Sequence, residues 1–314
     1  MARQRIKKVG ISATIEEAFS RFVASATARG LSEKTIQTYN QHIHSIGKHL
    51  DLSITFAELS QEDLDGMIVS MRRSGLAHNS ISSYTRVFRT FLKWCREQGL
   101  TDLEIPHLKD KETVKETYTD EELQLLLRKP ARKSSFCEYR NWVIENFFMN
   151  CGCRAATIRS IRNKDVNFES GQVIFRHTKN GKVQVIPLCG IMLNILRDYM
   201  VVRGGDPNDF LFPNEFGEPL TESALRSAIA DYNNSRGVAK TSIHLFRHTF
   251  ARKYLIDCGG DAFTLQKLLG HSTLKMTKHY CSIFDADISK NFDRFSPLAQ
   301  MNRPKERVMK KNKR

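Results

Sequence analysis

Residues 105–119, IPHLKDKETVKETYT, constrain the fold of this chain more than any other stretch. The segment is polar, contains Pro106 and holds few hydrophobes, so it reads as a linker rather than as part of a core. Helix-forming sequence lies on both sides of it. Two cores are therefore expected, and 314 residues with 40% hydrophobic content suffice for both. The pattern sets a helical domain over 12–105, a linker over 106–117, a second domain over 118–296 and a basic tail over 297–314.

The first hundred residues carry four helical patterns. LSEKTIQTYNQHIHSIGKHL begins with a capping Ser32 and sets Ile36, Tyr39, Ile43, Ile46 and Leu50 near one face. NSISSYTRVFRTFLKWCREQGL repeats the arrangement with Tyr84, Val87, Phe88, Phe91, Leu92 and Cys95, and Gly99 ends it. IEEAFSRFVASATARG and SQEDLDGMIVSMRRSG supply the other two. Arg72, Arg73, Arg86, Arg89 and Lys93 fall on the polar faces, where they either meet a polyanion or face water. Beyond the linker, Thr119 and Glu122 make a capping-box pattern ahead of LQLLL. FCEYRNWVIENFFMNCGCRAATIRSI is helical but interrupted at Gly152. GQVIFRHTKNGKVQVIPL is two β-rich runs around Asn180-Gly181, the pair favoured in a two-residue hairpin turn. Helices resume in IMLNILRDYM, TESALRSAIADYNNS and IHLFRHTFARKYLID. The fold class expected is mainly α with a small antiparallel β element.

The formal net charge is +15, and residues 300–314 alone carry seven Lys/Arg against one acidic residue. A polyanion is the natural partner, and no basic helix with an aromatic face points to a membrane surface, so nucleic acid is favoured. No run of 18 apolar residues occurs, and the glutamates of ISATIEEAF interrupt any signal-peptide core after MARQRIKKVG, so a cytoplasmic protein is expected. The seven cysteines, at 95, 137, 151, 153, 189, 258 and 281, are an odd number and read as reduced thiols. Cys151 and Cys153 are too close for a zinc knuckle and have no matching second pair, so no metal is expected.

Four stretches carry reactive residue types. Lys179 and Lys182 flank Asn180-Gly181, where a tight turn would hold two ammonium groups for a phosphate, although a solvated turn looks the same. In IHLFRHTF, His244 and His248 are four apart with Arg247 between them. The metalloprotease pattern needs a glutamate where Leu245 stands, and Arg247 repels a cation, which favours an anion site. Arg154 follows Cys151-Gly152-Cys153, where glycine lets the backbone turn and aim an arginine into a cleft. Guanidinium groups match phosphate oxygens in a rigid fork. Tyr280 ends LLGHSTLKMTKHYC, nine residues after His271, which on one straight helix would put the two on opposite faces. Gly270 can end one helix and Ser272 or Thr273 can start another, which removes that obstacle. A tyrosine hydroxyl is a poor nucleophile at neutral pH unless cations favour its phenolate. Arginines, a lysine and histidines supply that setting, and the absence of a carboxylate cluster from these stretches argues against two-metal chemistry.

These pieces, CGCR with Arg154, TKNGK with Lys179, HLFRH with His244 and Arg247, LGH with His271, and Tyr280, occur in the order seen in the tyrosine recombinase, or phage integrase, family, which the chain resembles. The resemblance covers about residues 115 to 296. It implies a mixed α/β catalytic domain preceded by a helical, SAM-like core-binding domain, and it implies roles. Tyr280 would attack the scissile phosphate and form a 3′-phosphotyrosyl link. Arg154, Arg247 and His271 would hold the non-bridging oxygens, Lys179 would protonate the departing 5′ oxygen, and His244 would assist proton transfer at the nucleophile. No cofactor is implied. The partners implied are double-stranded DNA with short inverted-repeat sites and a homo-oligomer, four protomers on two duplexes, or a hetero-oligomer with a related recombinase. Apolar residues in SIFDADISKNFDRF would dock on a neighbouring protomer. The family's usual acidic residue three positions after the first arginine is here Thr157. The first helical pattern begins near residue 12, so a separate arm-binding domain is not expected, which favours a chromosome-resolving or small mobile-element enzyme. Two other functions share parts of this pattern: a DNA-binding regulator that keeps the fold without cleavage, and a type IB topoisomerase that relaxes supercoils through one cut strand.

Overall fold

The computed structural model describes residues 13–108, 116–176 and 181–274 and the single positions 277, 296, 298 and 301. The chain forms two compact units, Met1–Val114 and Lys115–Arg314.

In the first unit the four expected helices are α1 (Ile15–Ala28), α2 (Glu33–Ile46), α3 (Gln61–Arg73) and α4 (His78–Glu97). Their starts follow local side-chain chemistry. Thr14 and Glu17 close a capping box on α1, the Ser32 hydroxyl accepts from the Thr35 N–H of α2, and Ser60 with Asp63 does for α3 what Thr14 does for α1. Gly99 takes φ +73° just beyond α4, a conformation that costs glycine little. The core is aromatic: Phe19, Phe22, Phe88 and Phe91 are buried, and Phe91 lies with ring centroids 5.3–5.7 Å from the other three. Arg72 and Arg73 are exposed at the end of α3, and Arg86 and Lys93 are exposed two turns apart on one side of α4. Arg89 differs from them. Its guanidinium donates to the carbonyls of Ile105 (2.9 Å) and Pro106 (2.8 Å) and meets His107 Nδ1 at 3.0 Å, so it fastens the segment after α4 to the bundle.

The second unit contains α5 (Asp120–Leu126), α6 (Phe136–Cys151), the short α7 (Ala155–Ile158), α8 (Gly190–Arg203), α9 (Glu222–Ser235), α10 (Ile243–Ile256) and α11 (Ala262–Leu269). Strands β1 (Val166–Asn167), β2 (Gln172–Phe175) and β3 (Gln184–Pro187) form an antiparallel sheet in that order. The architecture is mainly α with a small antiparallel sheet, as the sequence pattern implies; β1, only two residues long, is an addition that no period-2 pattern could announce. The Thr119–Glu122 capping box opens α5. A large apolar cluster runs from Tyr118 through α6, the sheet, α8 and α9 to Phe246, and a smaller one joins Phe250, Ala251, Leu255 and Ile256 of α10 to Leu265 and Leu269 of α11. No helix among the described residues is long and apolar enough to cross a membrane.

The turn expected at Asn180-Gly181 includes Asn180, which lies outside the described residues; Gly181 is described, at φ +68°. β2 and β3 pair Val173 with Ile186 and Phe175 with Gln184, leaving eight residues between the last paired positions. Val173, Phe175 and Ile186 are buried, so one face of this sheet meets the core. Residues 177–180, including Lys179, lie outside the described residues, and Lys182 is exposed.

Candidate active site

Arg154 is placed by the break between α6 and α7. Gly152 ends α6 at φ +58°, ψ 23°, the left-handed region that glycine enters without a Cβ penalty. A Cβ there would also run into the Phe250 ring and come 2.9 Å from Leu269 Cδ2. Phe250 and Leu269 belong to the small α10–α11 cluster, whereas Cys151 and Cys153 on either side of Gly152 belong to the large one. Gly152 therefore marks the seam where the two clusters meet. Arg154 follows in extended conformation as the N-cap of α7, half-buried, with its carbonyl accepting from the Thr157 N–H at 2.9 Å. Thr157 is buried in α7.

Arg247 occupies the same seam. It lies between Phe246, which packs into the large cluster, and Phe250, which packs into the small one, and it is only 6% exposed. Its Nη1 donates to the Gly152 carbonyl at 2.8 Å and its Nη2 to the Leu269 carbonyl at 2.9 Å. The second carbonyl is one of those a helix leaves unsatisfied at its C-terminal end. Nη2 also meets His271 Nε2 at 2.7 Å. Among the described residues these three contacts leave the Nε–H and one Nη1–H of Arg247 for a further acceptor.

His271 reaches this point because α11 stops where the sequence places its break. Gly270 takes φ +62°, ψ 44° at the end of α11, and the His271 N–H turns back to the Gln266 carbonyl at 3.0 Å. The ring is buried, with Nδ1 2.8 Å from the Thr277 hydroxyl. Gln184 of β3 braces the same corner: its Nε2 donates to the carbonyls of Lys267 and, at 2.8 Å, Leu268. Neither Gln184 nor Thr277 is prominent in the sequence; the only prior signal for Thr277 is its place between His271 and Tyr280.

The structure thus joins Arg247 and His271 directly and ties both to the turn that carries Arg154. His244 is exposed in the first turn of the same helix as Arg247. Lys179 and Tyr280 lie outside the described residues, as do Cys281 and the segment of 281–295 that follows the tyrosine. Burial pushes the Cys153 thiol well above its usual range, outweighing the opposing pull of the Arg247 charge, so this cysteine is a packed thiol rather than a thiolate ligand. Among the described residues no group of three His, Cys, Asp or Glu could hold a metal ion. The chemistry this corner offers is cationic and hydrogen-bond donating: a guanidinium in a dry seam, braced by backbone carbonyls, with a histidine against it. Such an array suits an oxyanion, because donors fixed in a low-dielectric site need little reorganisation when charge develops.

Two family models match the chain. The model of the phage integrase family matches residues 116–286, and that of the phage integrase N-terminal SAM-like domain matches residues 19–110. The chain is 27% identical over 293 residues to tyrosine recombinase XerC of Shewanella amazonensis, covering 90% of this chain and 96% of the relative. It is 24% identical over 287 residues to tyrosine recombinase XerD of Listeria innocua, covering 86% and 95%. Among solved structures, a Tn1549 transposon integrase in complex with transposon right end DNA superposes with TM-score 0.72 at 18% identity, covering 90% of this chain and 99% of that one. A lambda integrase tetramer bound to a Holliday junction gives 0.69 at 16% identity, covering 86% and 77%.

Proposed function

The chain belongs to the phage integrase family and is a site-specific tyrosine recombinase, and we propose that it cuts and rejoins DNA through a 3′-phosphotyrosyl link formed at Tyr280. The observation that carries this reading is Arg247, a guanidinium buried in the seam beside His271, two of whose N–H donors meet no acceptor among the described residues. A phosphodiester supplies the acceptors this arrangement lacks. Arg154, Arg247 and His271 hold the non-bridging oxygens as charge builds in the transition state, where such contacts accelerate reaction most. Tyr280 attacks phosphorus, Lys179 protonates the departing 5′ oxygen, and His244 assists proton transfer at the tyrosine. A 5′-hydroxyl from the partner duplex then attacks the phosphotyrosine, so the strand is rejoined without ATP because the covalent link keeps the phosphodiester's energy.

The substrate in this reading is double-stranded DNA with short inverted repeats, acted on by four protomers that pass through a Holliday junction, a state in which the similar lambda integrase has been seen. The segment beyond Tyr280 docks on the neighbouring protomer, and a related recombinase is an eligible partner. In the first unit Arg72, Arg73, Arg86 and Lys93 are exposed for phosphate contact, and Lys182 serves the same end in the second; Arg89 is engaged within its own bundle. A nicked suicide duplex carrying the inverted-repeat site tests the reading on a denaturing gel. A protein–DNA band that disappears in Tyr280→Phe is expected. Its absence from the unaltered protein on a site it demonstrably binds would instead favour a non-cleaving regulator.

A further inference from the structure

We infer that Thr277 is a positioning residue for the phosphate-binding histidine, holding Nδ1 of His271 so that Nε2 faces Arg247 and the scissile phosphate. The inference rests on the reading of the site as a phosphoryl-transfer centre and goes beyond it by assigning a task to a residue that makes no contact with the reacting atoms.

The argument begins with donors and acceptors. A guanidinium only donates, so the 2.7 Å contact from Arg247 Nη2 makes His271 Nε2 an acceptor. The neutral imidazole has one N–H, which must then sit on Nδ1. That N–H points at the Thr277 hydroxyl oxygen 2.8 Å away. Thr277 is fully buried and His271 nearly so, which leaves water little access to replace the hydroxyl. The three side chains form one line, Arg247 from α10, His271 from the break after α11, and Thr277 from the stretch that leads to Tyr280. Arg247 sets its charge against the ring, while Gln266 of α11 accepts from the His271 N–H through its own carbonyl and donates to the His271 carbonyl at 3.2 Å.

Without Thr277 the Nδ1–H loses this acceptor in a buried place, and the ring loses the bond that fixes its direction. With it, Nδ1–H has a fixed acceptor and Nε2 a fixed direction. When a phosphate oxygen takes the place of Arg247 at Nε2, that nitrogen must donate. It does so by taking one proton from solvent, while Nδ1–H stays on the Thr277 oxygen, and it returns the proton when the product leaves. The hydroxyl is thus the acceptor for Nδ1–H in both states. Thr277 is also three residues before Tyr280, so the same hydrogen bond ties the histidine to the segment that bears the nucleophile.

The test uses Thr277→Val, which keeps the branched shape and removes the hydroxyl, and Thr277→Ser, which restores it, in the full-length protein. Single-turnover cleavage of the suicide duplex should slow roughly ten- to a hundred-fold in the valine variant, the loss expected for one hydrogen bond to a group that becomes charged. Duplex affinity should stay unchanged, and the serine variant should recover most of the rate. Independently of DNA, two-bond ¹H–¹⁵N correlation spectra of ¹⁵N-histidine protein, with the His271 signal identified by its loss in His271→Gln, should show the Nδ1–H tautomer in the unaltered protein and in Thr277→Ser. An Nε2–H tautomer there overturns the inference, as does a valine variant that cleaves at the unaltered rate. A protein that forms no covalent product at all removes the phosphotyrosine reading instead, and the spectra still decide what Thr277 does.

Discussion

The interiors of the two units are built from different materials. Among the described residues, the first unit buries a single polar side chain, Thr85, and that hydroxyl simply returns to the Ile81 carbonyl of its own helix. The second buries Arg140, Asn141, Glu145, Asn163, Asp165, Asn233, Arg247, Thr249, His271 and others. A purely apolar helical core needs only the right volume and period, and it presents its charges outward. A core threaded with buried polar groups is costly unless each is matched, and matching them fixes geometry, which is what a reaction site requires. The first unit is thus suited to gripping a polyanion through its surface, and the second to arranging a few groups to better than an ångström.

Tyr280→Phe should break the contrast most completely, abolishing the covalent band on a suicide duplex while leaving binding intact. Next in size, Arg247→Ala should lower cleavage by about 10² to 10³, the usual loss for one transition-state donor. It should also destabilise the second unit by about 2 to 3 kcal/mol, because the Gly152 and Leu269 carbonyls lose their partner. A parallel decline in thermal stability and rate would show that the seam serves both purposes; a rate loss alone would separate them. Gly152→Ala acts on packing rather than charge. A left-handed backbone costs an L side chain about 1 to 2 kcal/mol, and the clash with Phe250 and Leu269 adds about 1 to 3. Denaturant unfolding of the full chain should show the loss in the second unit's transition.

Glu145 sharpens the comparison from the opposite side. It is fully buried on α6, neither carboxyl oxygen has a hydrogen-bond partner, and burial pushes its pKa well above the ordinary 4.5, against the weaker pull of Arg236. The folded state therefore holds the proton over a range where the unfolded chain has released it. Stability should fall as pH rises above about 4.5, the unfolded value, and continue to fall toward the raised folded value. Glu145→Gln should flatten that dependence, and Glu145→Leu should stabilise the second unit by about 1 to 3 kcal/mol at neutral pH by removing an unsatisfied polar group. Equal pH dependence in the glutamine variant would mean that another group titrates. The smallest effect belongs to the first unit: Arg86→Ala or Lys93→Ala should weaken duplex binding without regard to sequence and reduce its log–log salt slope by about 1 each.

What could be read in the sequence follows the range of the forces involved. The four helices of the first unit, the Ser32 and Thr119 caps and the breaks at Gly152 and Gly270 depend on neighbours within a few residues, so pattern alone reveals them. Arg154 and His271 were visible beside the helix-breaking Gly152 and Gly270, and Arg247 through its place between His244 and His248. The pairing of β2 with β3 was less legible, because it joins residues that no local pattern sets opposite one another. Arg89 looked like its exposed neighbours because nothing local says that its guanidinium turns toward residues 105–107. Thr277 and Gln184 were hidden for the same reason: a threonine or a glutamine is an ordinary surface residue until the fold brings a histidine ring or a helix end against it.

Gln184 has a consequence for altering this enzyme. It fastens the start of β3 to the end of α11, beside the turn that carries His271. The eight residues between the paired positions of the hairpin include Lys179, so exchanging them removes the acid of the proposed mechanism. A change at Gln184 itself is a different matter, since Gly270 opposite has room only because its side chain is a hydrogen, with the Gln184 amide oxygen 2.8 Å from where a Cβ would sit. Residues 184 and 270 form a lock with two keys, and any variant of one has to be chosen with the other in view.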